Sequence, residues 1–260
     1  SEELGLANTA SKLRGESGTK VLVEISSEAG EIREIDLERR SVDLRPVRTK
    51  RLRDDSHTIG YLRITQFSES VPKKVEEALQ ELKEKEVEGL ILDLRNNSGG
   101  LVSSGIAVAD SLLSERPVVE TKNRNGIKDA IISQKETSFD GPMVTLVNKG
   151  TASASEILAG SLQDNGRSIL MGEQTYGKGL IQSLKSLGED SGIAITVASY
   201  LTPKGNNIQG QGMTPDKVLD LPDGNEYGSA DDKWVRNAEL FLDSLLDEEE
   251  VPIQTDELSD

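Results

Sequence analysis

A serine and a lysine within one stretch of the sequence have the chemistry of a nucleophile and its base. Ser153 stands in GTASASEIL, and Lys178 stands between two glycines in GEQTYGKG. A serine hydroxyl needs a base to become a good nucleophile, and a lysine amine can serve when its surroundings favour the neutral form. The small neighbours of Lys178 predict a closely packed backbone and an inward side chain, where burial would favour the neutral amine. The two residues are therefore candidates for serine-type catalysis.

Each candidate also has a plain structural explanation. Ser153 is followed three residues later by Glu156, which matches a helix capping box, and Ser155 competes with Ser153 for either role. From the residues alone, a helix cap is favoured over a nucleophile. GEQTYGKG nearly matches a phosphate-binding loop, but Gly179 stands where that motif needs a hydroxyl, and the next residues resemble a strand instead of a helix. A nucleotide site is therefore disfavoured.

Other catalytic and metal-binding residues are scarce. The chain has no cysteine, and its one histidine, His57, lies in the polar stretch DDSHT, which predicts a surface residue. Transition-metal sites and a histidine base are therefore disfavoured, and a hydrolase would need lysine as its base. Two S-x-x-K matches, Ser17–Lys20 and Ser70–Lys73, lack the companion motifs of that signature and are discounted. We expect no metal and no cofactor.

The composition limits the functions open to the chain. Its 260 residues carry a net charge of −16, which disfavours a nucleic-acid partner because no face could neutralise a run of phosphates. Between Asp243 and Asp260 there are eight acids and no base, which predicts a solvated acidic tail. No apolar run approaches the ~18 residues that a membrane span needs. Because the chain begins at Ser1 and not Met, we expect a fragment whose targeting segment is missing.

The segments around the candidate residues predict an α/β fold. Short apolar runs that suit buried strands alternate with amphipathic segments that suit helices, a pattern typical of a largely parallel sheet flanked by helices. The predicted strands include TIGYLRITQF, GLILDLR, PMVTLVN and SILMGE, and a last helix is predicted around Trp234 to Leu246. A glycine pair in NNSGG follows the strand GLILDLR and offers unhindered N–H groups for an oxyanion or a tight turn.

Three regions are expected along the chain. Residues 1–45 predict a helix, a strand, a turn and a strand, and LRGESGTKVLVEI resembles the closing part of a PDZ domain whose earlier strands are absent. Residues 46–222 hold the predicted α/β core, and residues 223–260 hold the last helix and the acidic tail. The basic stretch Arg39–Arg53 predicts a solvated linker.

Five motifs in order resemble one peptidase family. They are IGYLRITQF, LILDLRNNSGGL, VNKGTASASEILAGSLQDN, GEQTYGKGLIQS and SGIAITVASYLTPKG followed by GMTPD. Together they resemble the C-terminal processing (tail-specific) peptidases, which are serine proteases with a Ser-Lys dyad. The resemblance covers about Thr58 to Asp216 and implies a crotonase-like sheet core.

The resemblance assigns roles to individual residues. It implies that Ser153 is the nucleophile, that Lys178 is the general base and that Gln182 orients the lysine. Asp164 in SLQDN matches an acidic position that supports the site in some members.

It also implies that the backbone N–H groups of Gly99 and Ala154 stabilise the oxyanion. The implied substrate is a protein or peptide with a free C-terminus, with peripheral membrane association allowed and the oligomeric state open.

The sequence is most similar to the photosynthetic branch of the family. This likeness implies an extracytoplasmic location, in the periplasm or the thylakoid lumen, and the photosystem II reaction-centre precursor as a substrate. Two other functions stay open, a non-catalytic binding module on the same fold and a crotonase-type acyl-CoA enzyme. As a protease, a fragment without most of the PDZ domain would have low activity.

Overall fold

The structure, a computed structural model, describes the chain apart from ten short stretches. Those stretches are residues 1–8, 10–11, 27–29, 31, 41–44, 54–56, 127, 189–190, 221–226 and 251–260. The chain divides into two units, residues 1–45 and residues 46–260. Most of the helix predicted before residue 14 and the end of the predicted acidic tail lie outside the described residues.

The first unit contains two antiparallel strands, β1 (Lys20–Ser26) and β2 (Ile32–Glu38). β-Branched residues alternate along β1, which suits a pleated strand, and Val23 lies opposite Ile35 across the ladder. The Arg39 guanidinium donates hydrogen bonds to backbone carbonyls that precede β1. The two extended segments predicted for this region are therefore present.

The second unit holds the remaining elements. In chain order they are β3 (Val47–Arg53), β4 (Thr58–Ile64), α1 (Val71–Glu84), β5 (Gly89–Asp93), α2 (Val102–Leu112), β6 (Pro117–Asn123), β7 (Lys128–Ile132), β8 (Met143–Val147), α3 (Ala154–Asp164), β9 (Ile169–Gly172), β10 (Leu180–Gly188), β11 (Ser191–Leu201), β12 (Lys217–Val218) and α4 (Lys233–Glu250).

The larger sheet of this unit has six strands in the order β12-β9-β8-β5-β4-β3. Neighbouring strands are parallel except at one edge, where β3 pairs antiparallel with β4. All side chains of β5 and β8 are buried, as their continuous apolar runs predict for strands covered on both faces. The predicted α/β fold is confirmed.

Helices cover both faces of this sheet because successive side chains of each strand point to opposite sides. On β4, Ile59 and Tyr61 pack with Trp234 of α4, whereas Leu62 and Ile64 pack in the cluster that contains the buried faces of α1, α2 and α3. Helix α4 is therefore one of the layers of the second unit. No helix in the described part of the chain is long and apolar enough to cross a membrane.

The basic stretch predicted to be a linker contains strand β3. Its residues pair in register with β4, with Thr49 opposite Leu62. The prediction was wrong because a run of basic residues was taken as the mark of a solvated coil. Charged side chains are also common on strands at the edge of a sheet. The edge position explains why β3 carries so few apolar residues.

A smaller antiparallel sheet, in the order β10-β11-β6-β7, extends from the same unit. The loop that carries Lys178 leads directly into β10, whose third residue is Gln182. This sheet therefore fixes the end of the lysine loop, while the larger sheet carries the serine at the start of α3.

The prediction that His57 lies on the surface is wrong. The ring is buried, with Nδ1 3.3 Å from Glu88 Oε1 and Nε2 3.1 Å from Asp247 Oδ1. The hydrogen bond with Asp247 raises the pKa of His57 above its ordinary value of 6.5, although burial opposes this. The polar neighbours of His57 suggested exposure. Its burial was missed because its partner Asp247, on α4, lies far along the chain. The hydrogen bond between His57 and Asp247 therefore links α4 to the start of β4.

Candidate active site

The backbone of Ser153 has a conformation that few non-glycine residues adopt. Ser153 is the residue before α3, and its φ is 58° with a ψ of −118°. An ordinary N-cap residue has an extended backbone, and a conformation such as that of Ser153 costs about 1–3 kcal/mol. Such strain persists where the surrounding structure enforces it, and it is concentrated at functional sites. The helix-cap explanation alone does not account for this geometry.

Glu156 connects the serine turn to the lysine loop. This side chain is fully buried, and its Oε2 accepts the N–H of Ser153 at 2.9 Å and the N–H of Lys178 at 2.8 Å. Its Oε1 accepts the hydroxyl of Thr175 at 2.5 Å and the N–H of Gly177 at 2.6 Å. Four donors thus satisfy a carboxylate that would otherwise be costly to bury. The sequence indicated Glu156 only as part of a capping box.

The backbone of the lysine loop is tightly packed, but the Lys178 side chain is exposed. A Cβ on Gly177 would lie 2.8 Å from the N of Gly212, and one on Gly179 would lie 2.8 Å from the N of Gln209. The close packing predicted for the two glycines is therefore present. The predicted burial of the lysine is wrong, because the side chain lies in a cavity open to solvent. Among the described residues, no hydrogen bond joins the Ser153 hydroxyl to the Lys178 amine.

The cavity beside Lys178 has a volume of about 540 Å³. Its lining includes Lys178, Gln182 and Ala152, the residue before Ser153. Leu180 and Tyr176 add apolar surface to its wall. The structure therefore brings Lys178 and Gln182 into one cavity next to the serine turn.

A groove of slightly larger volume, about 580 Å³, lies between β3 and α4. Its Lys50 ammonium donates to the carbonyl of Gly228 at 2.6 Å, and no residue predicted for the active site lines it. The smaller cavity is therefore the better candidate for chemistry.

Gly99 lies against the serine turn, as the family resemblance implies. A Cβ on Gly99 would lie 2.8 Å from the Cβ of Ser153 and 3.1 Å from the N of Ala154. The N–H of Gly99, however, donates to Asn97 Oδ1 at 3.0 Å. The N–H of Ala154 stands at the start of α3 and has no hydrogen-bond partner in the described part of the chain. The two predicted oxyanion donors are thus close together, and the N–H of Gly99 is already hydrogen-bonded to Asn97.

Asn97 joins the NNSGG turn (residues 96–100) to the serine turn. It is fully buried, and its carbonyl accepts the N–H of Ala152 at 3.0 Å and the hydroxyl of Ser155 at 2.9 Å. Ser155, which competed with Ser153 for the catalytic role, is therefore buried and committed to a structural hydrogen bond. Ser153 alone of the two is positioned near the cavity.

Asp164 lies at the other end of α3 from Ser153, about 16 Å away for a helix of this length. Its Oδ2 accepts the N–H of Lys204 at 2.8 Å, which ties the end of the helix to the loop after β11. Asp164 does not line the cavity. Within the described residues, no group of three or more acidic or histidine side chains is arranged to hold a metal ion.

The family model for peptidase family S41 matches residues 58–219. The chain belongs to peptidase family S41. The match covers the smaller sheet and all strands of the six-stranded sheet except β3, and it includes the serine turn, the lysine loop and the NNSGG turn. The predicted family resemblance is confirmed.

Known relatives include proteins from cyanobacteria and chloroplasts. A carboxyl-terminal-processing protease of Synechocystis is 47% identical over 85% of this chain and 52% of its own length. Chloroplastic carboxyl-terminal-processing peptidase 2 of Arabidopsis thaliana is 39% identical over 84% of this chain and 44% of its own length. These relatives agree with the photosynthetic branch that the sequence resembles. The chain spans about half the length of the curated relatives it matches.

A solved structure shares both the fold and the sequence. The photosystem II D1 C-terminal processing protease superposes with a TM-score of 0.68 and 37% identity, over 79% of this chain and 57% of that chain. The arrangement of sheets and helices described above is therefore that of an S41 peptidase.

Proposed function

We propose that this chain carries the catalytic machinery of a serine endopeptidase that cleaves proteins near their C-termini. Ser153 is the nucleophile, and Lys178 is its general base. The observation that carries this proposal is the strained backbone of Ser153. The Glu156 carboxylate binds its N–H group and also binds the N–H group of Lys178. Membership of a peptidase family supports it.

The reaction is an acyl transfer. Neutral Lys178 accepts the hydroxyl proton of Ser153 while Oγ attacks the scissile carbonyl carbon. The carbonyl oxygen becomes an oxyanion. Lys178 then gives the proton to the leaving amine as the C–N bond breaks, which leaves an acyl-enzyme. A water molecule, deprotonated by Lys178, attacks the acyl-enzyme and restores the Ser153 hydroxyl.

The N–H groups of Ala154 and Gly99 would stabilise the oxyanion. Ala154 supports this role because its N–H has no other partner among the described residues and lies at the N-terminus of α3, where the helix dipole favours negative charge. Gly99 can contribute once its N–H leaves Asn97 Oδ1. Loss of one such donor typically costs on the order of 10²–10³ in rate.

Gln182 would orient the Lys178 amine, and Asp164 would support the site by fixing the far end of α3. Gln182 lines the same cavity as Lys178, which supports its role. Substrate would also bring the Lys178 amine into a hydrogen bond with the Ser153 hydroxyl, which the described residues do not show. A bound peptide that fills the cavity would desolvate the amine and favour its neutral form.

The substrate would be a protein or peptide with a free C-terminus. One solved relative bears the name of a photosystem II D1 processing protease, which supports the reaction-centre precursor as a candidate. Chloroplastic and cyanobacterial relatives support action in a thylakoid lumen or periplasm. The first unit would then be the remnant of a PDZ domain, and the core would be crotonase-like.

A non-catalytic binding module is the second candidate. The exposed Lys178 and the missing hydrogen bond to Ser153 favour it. A crotonase-type acyl-CoA enzyme would use the glycine-rich turn but need neither residue, and binding of a CoA thioester would reveal it.

Cleavage of a peptide with a free apolar C-terminus tests the proposal. Ser153→Ala should abolish cleavage and leave the circular dichroism spectrum unchanged. Ser155→Ala is the matched control and should keep activity, because Ser155 lies in the core. An active Ser153→Ala variant with an inactive Ser155→Ala variant would overturn the assignment.

A further inference from the structure

The segment of residues 227–235, far from the catalytic residues in sequence, lies behind the NNSGG turn. Asp232 directly precedes α4, and its Oδ1 accepts the N–H of Trp234 at 3.1 Å, as expected of a helix cap. Its Oδ2 also accepts the N–H of Gly228 at 2.7 Å. These bonds fold the segment around one carboxylate.

The same carboxylate binds Arg95, the residue before the NNSGG turn. The two groups form a bidentate pair, from Nη1 to Oδ1 at 3.0 Å and from Nη2 to Oδ2 at 2.7 Å. On its other side, the guanidinium donates to Asp93, from Nε at 3.0 Å and from Nη2 at 2.6 Å. Arg95 and Asp93 are fully buried, and Asp232 is nearly so. The Arg95 side chain therefore has one fixed orientation.

Tyr227 makes a second contact with the turn. Its hydroxyl accepts the Nδ2 of Asn96 at 2.7 Å, and its ring lies 4.5 Å from the guanidinium carbon of Arg95. Asn96 has a φ of 56°, in the left-handed region that asparagine adopts more readily than most non-glycine residues. Segment 227–235 thus holds both Arg95 and Asn96.

These contacts lead to the serine turn within two residues. Asn97 follows Asn96, and its carbonyl accepts the N–H of Ala152 and the hydroxyl of Ser155. Its side chain accepts the N–H of Gly99 and donates to the carbonyl of Ile64. A shift of Arg95 would therefore move Gly99 relative to Ser153.

The charges in this cluster balance. Arg63 also contacts Asp93, at 2.8 Å, so two guanidinium groups face two carboxylates. Burial alone would raise the pKa of Asp232, but hydrogen bonds from Arg95 hold that pKa below its ordinary value. Removing the Asp232 carboxylate would leave the two guanidinium groups facing Asp93 alone, and a buried positive charge that is not fully compensated is unfavourable.

We propose that Asp232 is a positioning residue for the peptidase reaction, which holds the NNSGG turn in place through Arg95. The proposal rests on the function proposed above. It makes segment 227–235 part of the catalytic unit, and helix α4 the element that anchors it.

Asp232→Asn tests the proposal, with Asp247→Asn as its matched control. Asp247 is also a carboxylate of the α4 region that holds the helix to the sheet, but it binds His57 and not Arg95. Both variants remove one anchor of the helix, and only Asp232→Asn reaches the NNSGG turn. Tyr227→Phe removes a single hydroxyl and leaves the ring, which provides a variant with little risk of misfolding.

Peptide cleavage is the first measurement. Asp232→Asn should lower kcat by about 10²-fold with KM little changed, since small misplacements of catalytic groups cost about that factor. Tyr227→Phe should lower kcat by a few-fold in the same way. Asp247→Asn should leave kcat close to the wild-type value.

Hydrogen exchange of the backbone is the second measurement, and it needs no activity. Exchange in a peptide that covers residues 94–101 should be faster in Asp232→Asn than in the wild-type chain, and unchanged in Asp247→Asn. Equal exchange in the two variants, or equal loss of kcat, would overturn the positioning role. An inactive wild-type chain with the expected exchange pattern would overturn the proposed function but support the contact between segment and turn.

Discussion

The turn that carries Ser153 and the loop that carries Lys178 differ in how the fold holds their side chains. The serine turn is fixed by Glu156, by Asn97 and by its close contact with Gly99, and its backbone is strained as a result. In the lysine loop, Glu156 holds the backbone N–H groups of Gly177 and Lys178 and the hydroxyl of Thr175, but it does not hold the Lys178 side chain. That side chain extends into the open cavity.

If the two residues form the proposed dyad, the serine half is preorganised and the lysine half would be completed by substrate. Both halves share one anchor, the buried carboxylate of Glu156. In this arrangement the nucleophile is rigid, and the base would be desolvated only when substrate is bound. Ser153 would then react little with molecules other than a bound substrate. Three substitutions examine this contrast, in order of decreasing effect.

Ser153→Gly should remove all activity and make the chain more stable. A glycine adopts the backbone angles of Ser153 without strain, so the relief of about 1–3 kcal/mol exceeds the entropic cost of about 0.5–1 kcal/mol. Chemical denaturation should show a gain of about 1 kcal/mol in the free energy of unfolding. Ser153→Ala is the control, because alanine keeps the strain and should show no such gain. Equal stability of the two variants would mean that the turn is not strained.

Glu156→Gln should damage both halves of the dyad. A glutamine cannot accept all four hydrogen bonds that the carboxylate accepts, so buried N–H groups lose their partner, at about 1–3 kcal/mol each. We expect a fall of about 3 kcal/mol in the free energy of unfolding and a loss of about 10²-fold in kcat.

Glu173→Gln is a suitable control for that variant. Glu173 pairs with the exposed Lys149 at 3.4 Å, and such pairs contribute at most about 1 kcal/mol. If both variants had the same small effect, Glu156 would not be the shared anchor.

His57→Gln provides a reference remote from both halves. The raised pKa of His57 means that its stabilising contribution is complete below pH 6.5 and disappears as the pH rises through the folded-state pKa. The Tm difference between the wild-type chain and the variant should therefore be largest near pH 6 and shrink toward higher pH. Exchange at the serine turn should stay unchanged. A Tm difference that grew with pH would contradict the ion pairs with Glu88 and Asp247.

The sequence predicted the parts of the molecule that depend on local pattern. The buried strands β5 and β8 follow from continuous apolar runs, and the packing of Gly177 and Gly179 follows from their small size. The adjacency of Gly99 and Ser153 followed from the family resemblance, since their motifs lie far apart in the chain.

Features that depend on distant partners could not be predicted. Glu156 looked like a helix cap because three of its four donors lie about 20 residues later. His57 and Asp232 owe their burial to partners more than 100 residues away. The exposure of Lys178 was missed because the size of its neighbours indicates how the backbone packs, and not where a long side chain extends.

Mass spectrometry of a trapped acyl-enzyme tests the central claim most directly. The chain is mixed with a peptide ester that ends in an apolar residue, quenched in acid and digested. The Ser-Lys dyad predicts an acyl group on Ser153 in the wild-type chain, the same adduct in Ser155→Ala, and none in Lys178→Ala. An adduct on another residue, or acylation of Ser153 at an unchanged rate in Lys178→Ala, would contradict the dyad.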